Sequence, residues 1–261
     1  MKEFWEEQAI KHGEDVAAVN FDPVQEQLVA DLLNEIVPDS VAVADLGCGN
    51  GRTLIDLAPA RPAAHFVGYD FAENMVRVAE SRRLKLGLNH VQFTCFDATA
   101  PEPPSGAIGA FDVVLGKRLL INVKGPAKTR ALQNIHAMLK DGGTYIMVEC
   151  FVEPLQRINA IRSGLGLDAI VVRSFNEYLT EGFMDEVRRL FTVEQAIDRG
   201  SLYYFISRVF NAFLSEGKPD YHAPINQLAG RLVQSGVRPM TGYSPEVAYV
   251  LKKRLWANVE H

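Results

Sequence analysis

The chain has 261 residues, 48% apolar and 23% charged, with a formal net charge of -5. That length can bury a substantial core, and the composition excludes disordered and collagen-like classes. The acidic balance gives no general field for a phosphate backbone and no apolar run approaches the roughly 18 residues of a membrane span, so neither nucleic acid nor membrane is an expected partner.

The polar start Met1-Lys2-Glu3-Phe4-Trp5-Glu6 has no leader character, and the expected setting is cytoplasmic. Phe4, Trp5, His12 and Phe21 make residues 1–38 too aromatic for a plain tail and mark a helical cap. Asp22-Pro23 opens a helix from Val24 to Val37, with Val29, Leu32, Leu33 and Ile36 on one face. An apolar strand at 41–46 then runs into Asp45-Leu46-Gly47-Cys48-Gly49-Asn50-Gly51. Glycines at 47, 49 and 51 permit positive φ and let a ligand approach the backbone between strand and helix. A dinucleotide fingerprint reads G-x-G-x-x-G over a pyrophosphate, whereas here the spacing is G-x-G-x-G and a carboxylate precedes it. Asp45 would repel a pyrophosphate and suits a cationic ligand with sulfonium and ammonium groups.

A second strand, 65–70, ends in Asp70, 19 residues after Gly51, where a carboxylate can accept both hydroxyls of a ribose. A third, 91–95, leads to Asp97, suited to accept from an adenine amino group. Strands follow at 111–116 and 144–149, with helices after Asn50, Phe71 and Gly125, and a Pro, Gly and Ala loop spans Pro101 to Gly109. Such alternation implies a Rossmann-like, mostly parallel sheet with helices on both faces. His136, on the stripe Leu132, Ile135, His136 and Leu139, reads as a packed histidine. Cys48, Cys95 and Cys150 have no disulfide or metal spacing and read as small packing residues, so no metal is expected.

From the glycine motif through Asp70-Phe71, Asp97-Ala98, Phe111-Asp112-Val113-Val114-Leu115 and Leu139-Lys140-Asp141-Gly142-Gly143, the chain resembles the class I S-adenosylmethionine-dependent methyltransferases over residues 40 to 150. The resemblance implies S-adenosyl-L-methionine as cofactor, with its methionine part at Asp45, Gly47 and Gly49, ribose at Asp70, and adenine at Phe71, Asp97 and Ala98. Cys48, Asn50 and Lys117 join the expected cofactor set. In that family the region matching the aromatic N-terminus often folds over the cofactor, although an ordinary hydrophobic anchor explains it equally well. Residues 39–150 would form the cofactor core of a single methyltransferase domain.

Beyond residue 150, strands near 191–197 and 248–252 can complete a seven-stranded sheet, leaving 151–245 as a helical insertion on the acceptor side and 246–261 as last strand and tail. Within 201–214, Leu202, Phe205, Ile206, Val209, Phe210 and Phe213 fit one helical face, while Tyr204, Ser207, Arg208 and Asn211 form a polar stripe suited to an anionic or polyhydroxylated ligand. The bland alternative is a solvated face. Lys117 and Arg118 lie just past a strand's carboxyl end, where open sheets bind ligands. Gln156, Arg157, Asn159 and Arg162 add polar candidates.

The stretches 117–122, 176–179, 202–208 and 224–226 look more loosely like a bacterial subgroup, some members of which belong to surface-polysaccharide and related small-molecule pathways. The expected chemistry is in-line methyl transfer to a small anionic or sugar-like metabolite, held by Arg118 and the stripe Tyr204, Ser207, Arg208 and Asn211. If a base is needed, His12, Tyr203, Tyr204, Glu149 and His222 are candidates. An NAD-dependent oxidoreductase and a non-catalytic S-adenosylmethionine-binding protein stand as alternatives, and nothing in the pattern fixes the oligomeric state.

Overall fold

The computed structural model describes residues 2–15, 22–215, 217 and 220–255. Phe21 lies outside the described residues. Strands β1 (Ala42–Leu46), β2 (His65–Asp70), β3 (Val91–Cys95), β4 (Phe111–Lys117), β5 (Leu139–Cys150), β6 (Phe191–Ile197) and β7 (Glu246–Lys253) form one sheet in the order β3-β2-β1-β4-β5-β7-β6. β1 to β5 are parallel, while β7 runs antiparallel to both β5 and β6. The strand order reverses between β1 and β4, which opens a crevice at their carboxyl ends.

Helices cover both faces, which is why β1 reads as nearly continuous apolar sequence. Val43, Phe66, Val113, Leu115, Ile146 and Val148 pack on one side with Leu32 and Leu33 of α2 (Pro23–Ile36) and Leu54 and Ile55 of α3 (Arg52–Leu57). Ala44, Leu46, Tyr69, Val114, Tyr145 and Met147 pack on the other, against α5 (Ala127–Met138) and α7 (Phe183–Leu190). Asp22 caps α2 by accepting from Gln25 N at 3.1 Å, with proline in the first turn, as the sequence signals. α4 (Glu73–Lys85) follows β2, and its first amides at Glu73 and Asn74 are accepted by Glu6, 2.8 Å each, from α1 (Lys2–His12).

β5 begins five residues earlier than the sequence suggests. Its register with β4 slips between Phe111 and Val113, and Gly142 at φ 70° absorbs the expected turn inside the strand. His136 is buried against Phe191 and bonds the Arg254 carbonyl at 2.9 Å. Cys48 and Cys150 are buried, but Cys95 is exposed and so is not a packing residue.

The insertion contains α6 (Val152–Gly164), then α7 and β6, then α8 (Ser201–Phe205), a π-helical segment Ile206–Asn211, α9 (Ala212–Leu214) and α10 (Pro224–Gln234). The wider π turn breaks the periodicity on which the two-faced reading of 201–214 rests. Phe210 and Phe213, expected inside, are 52% and 57% exposed, while Tyr203 is fully buried with Leu28, Ala229 and Val233.

Candidate active site

The three acids are built into one edge of the sheet. Gly47 N and Cys48 N both donate to Tyr69 O, at 2.8 and 3.0 Å, which folds the loop after β1 over the end of β2. Asp70 completes the stitch: Oδ2 accepts from Gly49 N and Oδ1 from Ala72 N, each at 2.9 Å. Asp97, two residues past β3, accepts from both the amide and the hydroxyl of Thr99, at 2.8 and 2.7 Å. Glycines 47, 49 and 51 all have positive φ, at 75°, 54° and 75°. Only the first two face the cavity. A Cβ on Gly51 would lie 2.6 Å from the Phe93 ring and 2.7 Å from Ala79 Cβ, so this glycine serves helix packing.

Over this edge lies a cavity of about 510 Å³, within the range typical of small-molecule sites. One half is lined by Gly47, Gly49, Asp70, Phe71, Asp97 and Ala98. Trp5 and Phe175 line it as well, meeting edge-on, with Phe4 of α1 tilted against Phe175. Asp45, expected in the cofactor set, is not among the lining residues: it is 1% exposed at the end of β1, two positions before the lining Gly47, and its Oδ1 has no hydrogen-bond partner among the described residues. Burial pushes its carboxyl up to about 7, against the opposing pull of Lys117. An orphaned buried carboxylate is expensive. A cationic ligand relieves it, so the donor set fits a sulfonium nucleoside.

Asn50 and Cys48 do not reach the cavity. Asn50 Nδ2 donates instead to the Gly13 and Asp15 carbonyls, at 3.1 and 3.2 Å, and fastens the N-terminal segment to the glycine loop. Cys48 is buried in the loop, with Sγ 3.7 Å from Gly49 O.

The other half is lined by Asp22, Gln25, Lys117, Arg118, Cys150, Tyr178, Tyr204, Arg208 and Glu246. Its cations are matched by acids. Glu26, 4% exposed, accepts from Lys117 and, at 2.9 Å, from Arg118, whose second nitrogen is 3.8 Å from Glu246. Arg208 donates to Asp22 at 2.7 Å and lies over the rings of Tyr204 and Tyr221, 4.8 and 4.7 Å from their centroids. Arg118 and Arg208, expected to hold the acceptor, are thus already paired with Glu26, Glu246 and Asp22. Arg118 also holds a left-handed φ of 54°, unusual outside glycine, with its amide on Val148 O and its carbonyl on Asn122.

Of the polar stripe, only Tyr204 and Arg208 reach the cavity. Ser207 and Asn211 are 0% and 1% exposed, Asn211 donating to Asp220 O and accepting from Ser215. Tyr203 is equally removed, its hydroxyl donating to Asp22 at 2.7 Å. His12 and His222 are not among the lining residues. Glu149, fully buried, accepts from the amides of Leu120 and Ile121 and anchors the loop after β4. Burial raises its carboxyl to about 8. Gln156, Arg157, Asn159 and Arg162 also stay outside the lining: Arg162 and Asn159 clip Asp168 O and Ile170 O, and Arg157 holds Gly242 O. Sequence reasoning missed Gln25, Glu26, Tyr178 and Glu246. The acids near the start of α2, spaced to face the ends of β4 and β7, were the available signal.

Residues 38–186 match the model of a methyltransferase domain family. The carboxy-S-adenosyl-L-methionine synthase of Campylobacter concisus is 30% identical over 132 residues, 51% of this chain and 54% of that protein. The malonyl-[acyl-carrier protein] O-methyltransferase of Bacillus anthracis is 34% identical over 91 residues, 32% of this chain and 33% of its own. The chain thus spans a third to about a half of the curated relatives it matches. The [4+2]-cyclase SpnF has the same fold, with a TM-score of 0.58 at 18% identity over 87% of this chain and 80% of that one. Glycine loop, acidic strand ends, strand order and family match together place the chain in the class I S-adenosylmethionine-dependent methyltransferase family.

Proposed function

We propose that the whole chain acts as one methyltransferase domain that moves a methyl group from S-adenosylmethionine to a small, anionic or sugar-like metabolite. The observation that carries this is the single cavity joining the Gly47, Gly49 and Asp70 wall to a second half walled by Lys117, Arg118, Tyr204 and Arg208. The cofactor, when bound, supplies a methyl carbon on a positively charged sulfur that is already a good leaving group. Asp45 would stabilise the positive charge, Asp70 would accept the ribose hydroxyls, and Phe71, Asp97 and Ala98 would hold the adenine. Trp5 and Phe175 shield that half from water. Alignment and desolvation of this kind supply about 7 to 11 kcal/mol of barrier reduction.

Because each cation of the second half has a carboxylate partner, the sugar-like half of the reading is better supported than the strongly anionic one. Small size follows from the cavity volume, and the acidic net charge again disfavours a nucleic-acid acceptor. Among the described residues no helix is long and apolar enough to cross a membrane, and a cytoplasmic setting is our reading of the composition and of three free, separated cysteines. An oxidoreductase reading is disfavoured by Asp45, which would sit under a dinucleotide's pyrophosphate. The test is mass spectrometry of products from S-adenosylmethionine and a panel of small hydroxyl, carboxyl and amine acceptors. S-adenosylhomocysteine together with an acceptor heavier by one methylene supports the reading. A modified cofactor without a methylated acceptor, or no product from any acceptor, counts against it.

A further inference from the structure

The acceptor half contains two lining carboxylates, and they are not equivalent. Asp22 is consumed by structure: its side chain accepts from Gln25 N at 3.1 Å, Tyr203 at 2.7 Å and Arg208 at 2.7 Å. Behind the wall, Glu26 is held by Lys117 and Arg118 at once. Glu246, the first residue of β7, is held on one side only. Its Oε1 accepts from Gln25 Nε2 at 2.8 Å, while the nearest cation to Oε2 is Arg118 at 3.8 Å, beyond hydrogen-bond reach.

The other titratable groups of this half are poorer proton acceptors. Burial pushes the Tyr204 phenol to about 12 and raises the Tyr178 phenol and the Cys150 thiol well above their ordinary values. Arg118 and Lys117 from the end of β4, Gln25 and Glu26 from α2, Cys150 from β5 and Tyr178 from the segment before α7 are the polar groups around Glu246. Desolvation, reinforced by Glu26 and opposed by the two cations and Gln25, leaves its carboxyl raised above the ordinary carboxylate value.

We propose that Glu246 is the general base of this site, and that the methyl acceptor is therefore a neutral hydroxyl compound. This deepens, and rests on, the methyl-transfer reading. Glu246 Oε2 takes the hydroxyl proton as the oxygen forms its bond to the methyl carbon. The carbon–sulfur bond breaks with its electron pair left on sulfur, which becomes a neutral thioether. Gln25 holds the other carboxylate oxygen and fixes the direction of Oε2. A carboxylate acceptor would be ionised already and would need no such group.

The test uses Glu246→Gln in the full chain, which keeps an oxygen for Gln25, with calorimetry of S-adenosylmethionine as a check of fold and cofactor site. With the protein saturated in S-adenosylhomocysteine, saturation-transfer NMR follows two probes, methyl α-glucoside and malonate. The glucoside is expected to bind the wild type and to bind the variant at least fivefold more weakly, with malonate bound by neither. On the hydroxyl acceptor found in the product panel, the variant should lose 100-fold or more in kcat, well beyond the roughly fivefold rise in KM that matches the glucoside's weaker binding. It should also lose the acid limb of the kcat–pH profile, and Glu246→Asp should restore part of the rate. Equal glucoside binding by both proteins, an acid limb that persists in the variant, or a panel whose turned-over acceptors are all carboxylates overturns the proposal. If the wild type binds no S-adenosylmethionine, the methyl-transfer reading itself falls and this proposal with it. If it binds and turns over while Glu246→Gln behaves as wild type, only the base assignment falls.

Discussion

Asp70 Oδ2 accepts a hydrogen bond from Gly49 N at 2.9 Å, across 21 residues of sequence, so the carboxylate proposed to hold the ribose is also the clasp of the glycine loop. Its second oxygen accepts from Ala72 N at the start of α4. The end of β2, the loop after β1 and the next helix are therefore positioned by one side chain. Replacing it should be felt in both cofactor binding and stability.

Asp70→Ala removes a charged acceptor from both backbone amides and from the proposed ribose contact. The expected loss of S-adenosylmethionine affinity is about 1.5 to 3 kcal/mol, measurable by calorimetry, together with a lowered denaturation midpoint. An intact affinity in a folded variant would remove Asp70 from the cofactor site.

Asp45 should couple cofactor binding to a proton. Its carboxyl sits at about 7 because it is buried, and a nearby cationic ligand favours its ionised form. Binding near pH 6 should therefore release a proton, and affinity should rise with pH up to about 7 and then level. Calorimetry in two buffers of different ionisation enthalpy reads the release directly. Asp45→Asn should abolish it.

Glu149 gives a stability signature of the opposite sign from a surface ion pair. Its folded value of about 8 lies above the ordinary 4.5, so the protonated form is favoured by folding. The stability it adds is complete below the unfolded value and is lost as pH rises through about 8. Urea midpoints should fall between pH 6 and 9, at no more than about 1.4 kcal/mol per pH unit for this one proton, and Glu149→Gln should flatten that slope.

The amount of this that was legible in the sequence follows from how local each cause is. The glycine loop, the acids at the ends of β1 and β2, and the capped α2 each depend on neighbours within a few residues and could be read directly. The paired charges around Arg118 could not, because Glu26 and Glu246 meet it from elements 92 and 128 positions away in the chain. The polar stripe at 204–211 departs from its expected face for a different reason. A π segment at Ile206–Asn211 changes the helical period, so Ser207 and Asn211 turn inward although their spacing from Tyr204 suits a straight α-helix.

Glu26→Ala should be among the most damaging changes on the acceptor side. It leaves two cations, with side chains only 14% and 17% exposed, without their closest partner. Breaking such a buried pair costs about 3 to 5 kcal/mol, which chemical denaturation would report. A midpoint within error of the wild type would mean that Glu246 alone satisfies both.

Gly51→Ala separates packing from ligand binding in the glycine loop. The added methyl meets Phe93 at 2.6 Å, on a residue with φ of 75°. Left-handed strain of about 1 to 2 kcal/mol and overpacking of about 1 to 3 kcal/mol should lower stability by roughly their sum. Affinity per folded molecule should change far less than in Asp70→Ala.

The central claim is that this cavity is built for a cationic nucleoside, and titration calorimetry of the full chain with S-adenosylmethionine, S-adenosylhomocysteine and NAD measures it most directly. Saturable one-to-one binding of the first two is expected, weakened by Asp70→Ala and linked to a proton through Asp45, with no heat of binding from NAD. Binding of NAD with none of S-adenosylmethionine would contradict it.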